Sequence, residues 1–119
     1  MPKVNLSEKF SQIPELWSPR IAAELNGQYL KLARLKGEFI WHQHQAEDEL
    51  FLVVQGELKI QFRKSEEVLR AGEFLVVPRG VEHRPVAEEE VHVILLEPTS
   101  TVNTGEIRDE RTRLDLKWI

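Results

Sequence analysis

Two of the four histidines in this chain stand one residue apart in the stretch WHQHQAEDELF. On a strand, residues two apart point to the same side, so His42 and His44 would present their imidazoles together. Glu49 opens the apolar run that follows, and His83 comes just after the Pro-Gly turn in PRGVEH. Three imidazoles and one carboxylate converging from neighbouring strands would suit a borderline divalent metal: Mn, Fe, Ni, Co, Cu or Zn. Around a six-coordinate ion, four such ligands would leave two positions for water or substrate.

The same residues also have ordinary interpretations. A His-x-His pair taken alone is more typical of surface or core histidines than of metal ligands, and Glu47 and Asp48 fit a solvated turn. His92 lies apart from the others in VHVILLE. We interpret it as a packed or interface histidine rather than a ligand.

Composition narrows the function classes. The chain has 119 residues, 41% of them hydrophobic, and a net charge of -4, so it lacks the basic surplus of a nucleic-acid-binding protein. It has no cysteine for disulfide or thiolate chemistry. No apolar run approaches the roughly 20 residues that span a bilayer, and MPKVNLSEKF is not a signal peptide. We therefore expect no membrane partner and a cytoplasmic location.

The elements that must position the histidines are predicted to be strands. Asn26-Gly27 is a hairpin signal, and the short runs ELFLVVQ, ELKIQFR, EFLVVP and VHVILLE lie between turn candidates, among them Lys36-Gly37 and Ala87 to Glu90. This pattern predicts an all-β sandwich or barrel. ELFLVV and VHVILL do not alternate, so both of their faces should be covered, by a second layer or by a dimer partner.

We predict one domain over residues 1–119. Residues 1–19 form an irregular N-terminal arm, in which Ser7 caps a short helical turn, residues 20–98 form the β domain, and residues 99–119 form a loop and a possible last strand. Trp17 and Trp118 in these terminal segments are expected to be buried against the barrel or a second subunit. One of Lys31 and Arg34 should point inward, and parity alone does not say which.

The glycine and proline framework around the histidines resembles that of the cupins. Their first motif, G-x5-H-x-H-x(3,4)-E-x6-G, is matched by His42, His44, Glu49 and Gly56, and their second, G-x5-P-x-G-x2-H-x3-N, by the following residues: Gly72, Pro78, Gly80 and His83. Two positions depart from the pattern. Gly37 is followed by four residues instead of five before the first histidine, and Ala87 replaces the final Asn.

The resemblance implies a double-stranded β-helix, or jelly-roll, barrel that binds a divalent metal through His42, His44, Glu49 and His83. The chain looks like the small single-domain microbial cupins of the mannose-6-phosphate-isomerase-like group. Ile40, Phe51 and Val53 share the parity of the ligands and are predicted to line an apolar substrate cavity beside the metal. Trp41 should face the opposite side.

Cupins carry many chemistries, so this resemblance does not fix a reaction. We predict a metal-dependent enzyme acting on a small organic molecule, of oxygenase or isomerase type. The alternative is a non-catalytic protein that binds a metal or a small ligand, and a third possibility is a structural β module with a vacant site. No catalytic acid or base outside the ligand set is identifiable. The apolar sheet predicts a homodimer.

Overall fold

The structure is a computed structural model that describes residues 2–119. Strands dominate it, and one short helix precedes them. The elements are α1 (Leu6–Ser11), β1 (Arg20–Leu25), β2 (Gln28–Glu38), β3 (Glu49–Gln55), β4 (Glu57–Phe62), β5 (Ser65–Arg70), β6 (Phe74–Val77) and β7 (His83–Pro98). All strand pairs are antiparallel. The predicted all-β jelly-roll barrel is confirmed.

The 16-residue strand β7 holds the barrel together. Its first part pairs with β4, from His83 opposite Phe62 to Val86 opposite Lys59. Its later part lies between β2 and β3 in the order β1-β2-β7-β3-β6. One continuous strand therefore belongs to both layers, and the β4–β5 hairpin closes the second layer.

The Asn26-Gly27 hairpin is confirmed. β1 and β2 pair up to Leu25 opposite Gln28, and the two residues between them have φ values of 52° and 77°. A two-residue turn with positive φ at both central positions has a twist that matches that of the flanking strands. Asn and Gly are the residues that tolerate positive φ best.

Two of the predicted turns are wrong, and they form one irregularity. Lys36-Gly37 and Ala87 to Glu90 do not end strands, because β2 and β7 both run through them. The register instead jumps from Leu35 opposite Val91 to Gly37 opposite Ala87. The extra residues of β7 bulge outward as exposed glutamates, which lets the strand bend between the layers without ending.

The core has two parts. The larger cluster fills the barrel interior and includes Phe51, Val53 and Val93. The smaller lies on the outer face of the sheet, where Phe10 and Ile13 pack with Leu32. The inner face of β3 and β7 is thus buried, and the outer face, which was also predicted to be covered, is half-buried, with the chain's own N-terminal arm supplying part of the cover.

The N-terminal arm is more regular than predicted. Its helix is capped by Asn5, whose Oδ1 accepts a hydrogen bond from the backbone N–H of Glu8 at 3.0 Å. Capping by Ser7 is wrong, because the helix already begins at Leu6.

The predicted last strand is reduced to a single parallel bridge. The backbone of Ile21 bonds to the carbonyl of Lys117 at 2.9 Å and to the N–H of Ile119 at 3.0 Å. Trp118 meets the Tyr29 ring edge-on but is 55% exposed, so it is not buried against its own barrel, and burial against a second subunit stays a prediction. In residues 2–119, every helix is too short and too polar to cross a membrane.

Candidate metal centre

Three backbone hydrogen bonds bring the two histidine-bearing segments together. His42 and His83 exchange N–H to carbonyl bonds of 3.0 and 2.9 Å, and the N–H of Gly80 bonds to the His44 carbonyl at 2.8 Å. The predicted strand through His42 and His44 is wrong, because only His42 makes a ladder contact, the isolated bridge to His83. The two segments are nevertheless fixed by these bonds, and all three imidazoles are buried.

Two of the imidazoles are oriented by carbonyl oxygens. Nδ1 of His42 lies 2.9 Å from the Ile40 carbonyl, and Nδ1 of His83 lies 3.0 Å from the Val81 carbonyl. A carbonyl only accepts hydrogen bonds, so both Nδ1 atoms carry the proton. In the neutral form of each ring, Nε2 then carries the free lone pair that can bind a metal.

Glu49 completes the cluster. Its Oε1 lies 3.5 Å from Nε2 of His44 and 3.4 Å from Nε2 of His83. One ligand atom from each of His42, His44, Glu49 and His83 falls within 4.8 Å of all the others. The predicted convergence of three imidazoles and a carboxylate is therefore present, and the cluster is compatible with a divalent metal ion.

The lack of hydrogen-bond partners for several atoms of the cluster supports the same conclusion. Both ring nitrogens of His44, Oε1 of Glu49 and Nε2 of His83 are buried without a hydrogen-bond partner. Buried polar atoms are rarely left unpaired, because each costs about 1–3 kcal/mol. A cation at the centre of the cluster would satisfy Glu49 Oε1, His83 Nε2 and one of the two His44 nitrogens. Nitrogen and oxygen ligands of this kind bind metals at about 2.0–2.2 Å, so adjustments of a few tenths of an ångström would bring all four onto one ion.

The electrostatics of the cluster keep two of its residues, His42 and Glu49, in the metal-binding form. Burial, together with the nearby His83, lowers the pKa of His42 to about 4, so this ring is neutral at physiological pH. Burial alone would raise the pKa of Glu49. The polar groups beside it, Glu97, His44 and His83, outweigh burial and hold the pKa of Glu49 well below its usual value.

A small cavity of about 40 Å³ opens beside His42 and Glu49. Of the residues predicted to line it, Phe51 does so. Val53 is fully buried deeper in the barrel core, and Ile40 is half-buried outside the cavity. Phe39 takes the place predicted for Ile40, because the segment before His42 leaves the regular strand alternation on which that prediction relied.

The rest of the cavity wall comes from several elements. Trp17 of the N-terminal arm stacks on Phe39 with ring centroids 4.9 Å apart, and Asn103 of the C-terminal segment also contributes. Trp17, predicted to be buried against the barrel or a second subunit, is half-buried against the barrel. The wall is mainly apolar, and its carboxylates are Glu49 and Glu97.

Sequence reasoning missed Glu97, which is 1% exposed. Its Oε1 accepts from Nζ of Lys31 at 2.8 Å, which identifies Lys31 as the inward cation of the predicted pair. The sequence did contain a signal for Glu97, since it lies two residues after Leu95 and four after Val93 on the same strand and so points to the same buried face. Arg34 faces outward and binds Glu90 in a bidentate pair at 3.0 and 2.9 Å.

The remaining polar residues of interest have structural contacts. His92 stacks on Phe10 at 4.6 Å and bonds to Glu90, which confirms it as a packed histidine. Asp48 accepts from the backbone N–H of Arg79 at 2.8 Å, so it ties the two metal-site loops together rather than facing solvent freely.

Two further surface contacts flank the site. Ser100 donates to Glu47 at 2.8 Å, which joins the C-terminal segment to the loop that carries His44. Trp41 lies on the opposite side from the cluster, under the guanidinium of Arg63 at 3.9 Å.

Fold and cluster together define a cupin, and comparison with known proteins agrees. The Cupin domain family model matches residues 32–98, so the chain belongs to this family. It is 38% identical over 81 residues to the uncharacterized protein YdbB of Bacillus subtilis (strain 168), covering 67% of this chain and 72% of that protein.

Two solved structures extend the likeness. A cupin-2 domain containing protein from Shewanella frigidimarina is 46% identical, with a TM-score of 0.79 over 80% of this chain and 93% of that one. Protein NMB1881 from Neisseria meningitidis is 31% identical, with a TM-score of 0.75 over 82% of this chain and 100% of that one.

Proposed function

We propose that this cupin binds a divalent transition metal through His42, His44, Glu49 and His83 and acts as a metal-dependent enzyme on a small organic molecule. The observation that carries the proposal is the set of unpartnered, buried nitrogen and oxygen atoms beside an apolar cavity. A structural site would close its coordination sphere with protein ligands. Here the cluster borders a small, mainly apolar cavity.

A bound metal would supply Lewis-acid chemistry, polarising a carbonyl or enolate oxygen, or a binding position for dioxygen beside a chelating substrate. The chain's own residues would do the rest. The Ile40 and Val81 carbonyls hold the His42 and His83 rings in the binding tautomer. Phe39, Phe51 and Leu95 keep bulk water from the cavity.

The size of the cavity restricts what it accepts. About 40 Å³ is room for a few water molecules, since roughly 10–15 Å³ of such space accommodates one. An organic substrate therefore needs the wall to move. Trp17 and Asn103 belong to the terminal segments rather than to the barrel strands, so they are the wall residues best placed to shift.

The small volume of the cavity favours a second candidate, a non-catalytic protein that binds a metal or a small ligand. In that case the wall stays closed, and the metal exchanges only water or a ligand of two or three heavy atoms. The two candidates differ in whether organic molecules of substrate size reach the metal.

Metal analysis tests the shared part of the proposal. Protein purified without a histidine tag should carry a transition metal, and after treatment with a chelator it should bind Co²⁺ or Zn²⁺ with one ion per chain. His42→Ala and His83→Ala should each weaken binding at least 100-fold, while His92→Ala, outside the cluster, should leave it unchanged. Wild-type protein that takes up neither ion would overturn the metal site.

Ligand access separates the enzyme from the binding protein. The Co²⁺-loaded protein is mixed with small carbonyl compounds, diols and catechols, and its visible spectrum and oxygen consumption are followed. An enzyme should show spectral shifts with at least one class of organic compound and should convert that compound. Conversion without oxygen consumption would indicate an isomerase, and conversion with oxygen consumption would indicate an oxygenase. Spectral shifts with azide alone would favour the binding protein.

A further inference from the structure

Two side chains separate the cavity beside the cluster from solvent. All the residues that line this cavity are buried except Trp17 and Asn103, which are half-buried. His42 and Glu49 belong to the buried part of the same wall. A molecule that reaches them from solvent through the cavity must therefore pass Trp17 or Asn103.

Asn103 is fixed in place by its own segment. Its Nδ2 donates to the Arg111 carbonyl and its Oδ1 accepts from the Arg113 N–H, both at 2.8 Å. Both ends of the side-chain amide are thus bound to backbone groups, and the side chain cannot turn away without losing both bonds. Of the two boundary residues, Trp17 is the one whose side chain can move alone.

Trp17 closes the cavity in a strained conformation. Its φ is 58°, a left-handed value that a bulky side chain rarely adopts and that persists only where other contacts enforce it. The backbone N–H of Trp17 bonds to the Arg34 carbonyl at 2.9 Å, its Nε1–H bonds to the Lys36 carbonyl at 2.8 Å, and its ring stacks on Phe39. Displacing the ring loses two of these contacts and releases strain, so the two effects oppose each other.

The chain around Trp17 is anchored on both sides. Before it, Ile13 is buried and its carbonyl accepts from Nη1 of Arg34 at 2.6 Å. After it, Pro19 is buried and leads directly into β1. Residues 14–16 are exposed. This short exposed turn can absorb a displacement of Trp17 while α1 and the barrel stay in place.

We propose that Trp17 is the gate of the metal cavity and determines the size of the ligands that reach the metal. The proposal rests on the proposed metal site. With the indole in place, a cavity of about 40 Å³ admits water and ligands of a few atoms. With the indole displaced, the ring of a ligand can take the space that it leaves. A larger ligand therefore binds only the fraction of molecules in which Trp17 is open.

The wall behind the gate defines the class of ligand. Most of it is apolar, from side chains such as Leu35, Phe51 and Leu95, and its charged groups are the carboxylates Glu49 and Glu97. Within residues 2–119, no lysine or arginine lines it. An anionic body would be repelled by the carboxylates, whereas an apolar one is well accommodated. The gate thus admits an uncharged organic molecule with an apolar body and one group that binds the metal.

Two ligands of different size test the gate on the Co²⁺-loaded protein, with binding followed in the visible spectrum. Azide fits the closed cavity, and 4-phenylimidazole, uncharged and with a single metal-binding group, does not. The minor conformation of a protein is often populated to about 0.1–10%, and an apparent Kd is the intrinsic one divided by that fraction. Trp17→Ala should therefore bind 4-phenylimidazole about tenfold or more tighter than the wild type, with the Kd for azide unchanged within about threefold.

Two further variants complete the test. Trp17→Gly removes the same ring, and glycine adopts a positive φ without strain, so this variant decides the matter if Trp17→Ala folds poorly. Trp118→Ala is the matched control, since Trp118 is 55% exposed and lies outside the cavity wall. It should bind both ligands as the wild type does.

The possible results separate the gate from the metal site. Affinity for 4-phenylimidazole that is equal or weaker in the Trp17 variants would overturn the gate and leave the metal site standing. An equal gain for azide would show that Trp17 does not select by size. Absence of Co²⁺ binding by the wild type would reject the metal site, and the gate with it.

Discussion

At the scale of single residues, the cluster is built from groups that are stable in the fold only in particular charge states. His42 is buried and neutral, and Glu49 is buried and ionised. Such groups bind a cation well because no proton has to be displaced from them first. The same property makes the metal-free protein sensitive to acid.

We predict that the metal-free protein loses about 2–3 kcal/mol of unfolding free energy between pH 7.5 and pH 4.5 through His42 alone. The pKa of this imidazole is 6.5 in the unfolded chain and about 4 in the folded one. Between these values the unfolded chain takes up a proton that the folded chain refuses, so stability falls as the pH falls. The loss is complete once folded His42 is itself protonated.

Urea unfolding with a chelator present measures this pH dependence. His42→Gln should flatten the slope between the two pH values, while the surface variant His92→Gln should keep it. Equal slopes in wild type and His42→Gln would contradict the assignment of the acid sensitivity to this residue.

The sequence predicted the cluster better than its surroundings. The four clustered residues were predicted from their spacing within two sequence motifs. That prediction does not depend on a regular strand, so it holds although His42 and His44 lie outside one. Ile40 was predicted from strand alternation, and alternation fails where the strand is interrupted. The Glu97–Lys31 pair was missed because a charge in an apolar run has no meaning until the neighbouring strand that pairs it is known.

At the scale of elements, the C-terminal segment is packed on the metal-site loop through a glycine. Gly105 has a φ of 63°, and a Cβ at this position would collide with the backbone carbonyl of Gln43, between His42 and His44. The loop that carries two imidazoles is thus braced by backbone contact from outside the barrel.

Gly105→Ala should therefore detach this brace. Its cost combines the strain of a positive φ, about 1–3 kcal/mol, with overpacking of similar size. Gly72→Ala is the control, since Gly72 has a φ of 87° but open space around it. Trypsin should cut Gly105→Ala faster than Gly72→Ala at the arginines of the C-terminal segment: Arg108, Arg111 and Arg113. Equal cleavage and equal melting temperatures would show that the contact is not needed.

The N-terminal helix has an equally local test. Phe10 is buried against the outer face of the sheet and stacks on His92. Phe10→Ala should cost about 3–5 kcal/mol of unfolding free energy, the usual range for removing a buried phenylalanine. Val4→Ala, in the exposed part of the same arm, should change it by less than 0.5 kcal/mol. Comparable losses from both would show that the arm does not add to the stability of the barrel.

At the scale of elements, sequence patterns predicted local features but not the pairing of distant strands. Hairpin and strand runs are local, so Asn26-Gly27 and the apolar segments were placed correctly. The bulge between β2 and β7 was not, because glycine at Gly37 and three successive glutamates indicate a turn equally well. Only the pairing of two distant strands shows that both run through.

At the scale of the whole molecule, the structure indicates a different dimer surface from the one that the sequence predicted. The prediction of a homodimer rested on β3 and β7, whose outer face is partly covered by the chain's own helix α1. The apolar stripe continues beyond that cover onto β6. There Phe74 is 60% and Val76 50% exposed, next to the half-buried Leu52 and Leu50 with which they pair.

β6 is also an edge strand, paired with β3 on one side only. An edge without lysine or a bulge is open to another strand, and antiparallel pairing of β6 with its own copy would be symmetric about a two-fold axis. We therefore expect the wild-type protein to have the mass of two chains in light scattering at tens of micromolar. Phe74→Lys/Val76→Lys should be a folded monomer, while Leu114→Lys, at an exposed leucine of the C-terminal segment, should remain a dimer. A monomeric wild type, or a doubly substituted protein that still dimerises, would contradict this interface.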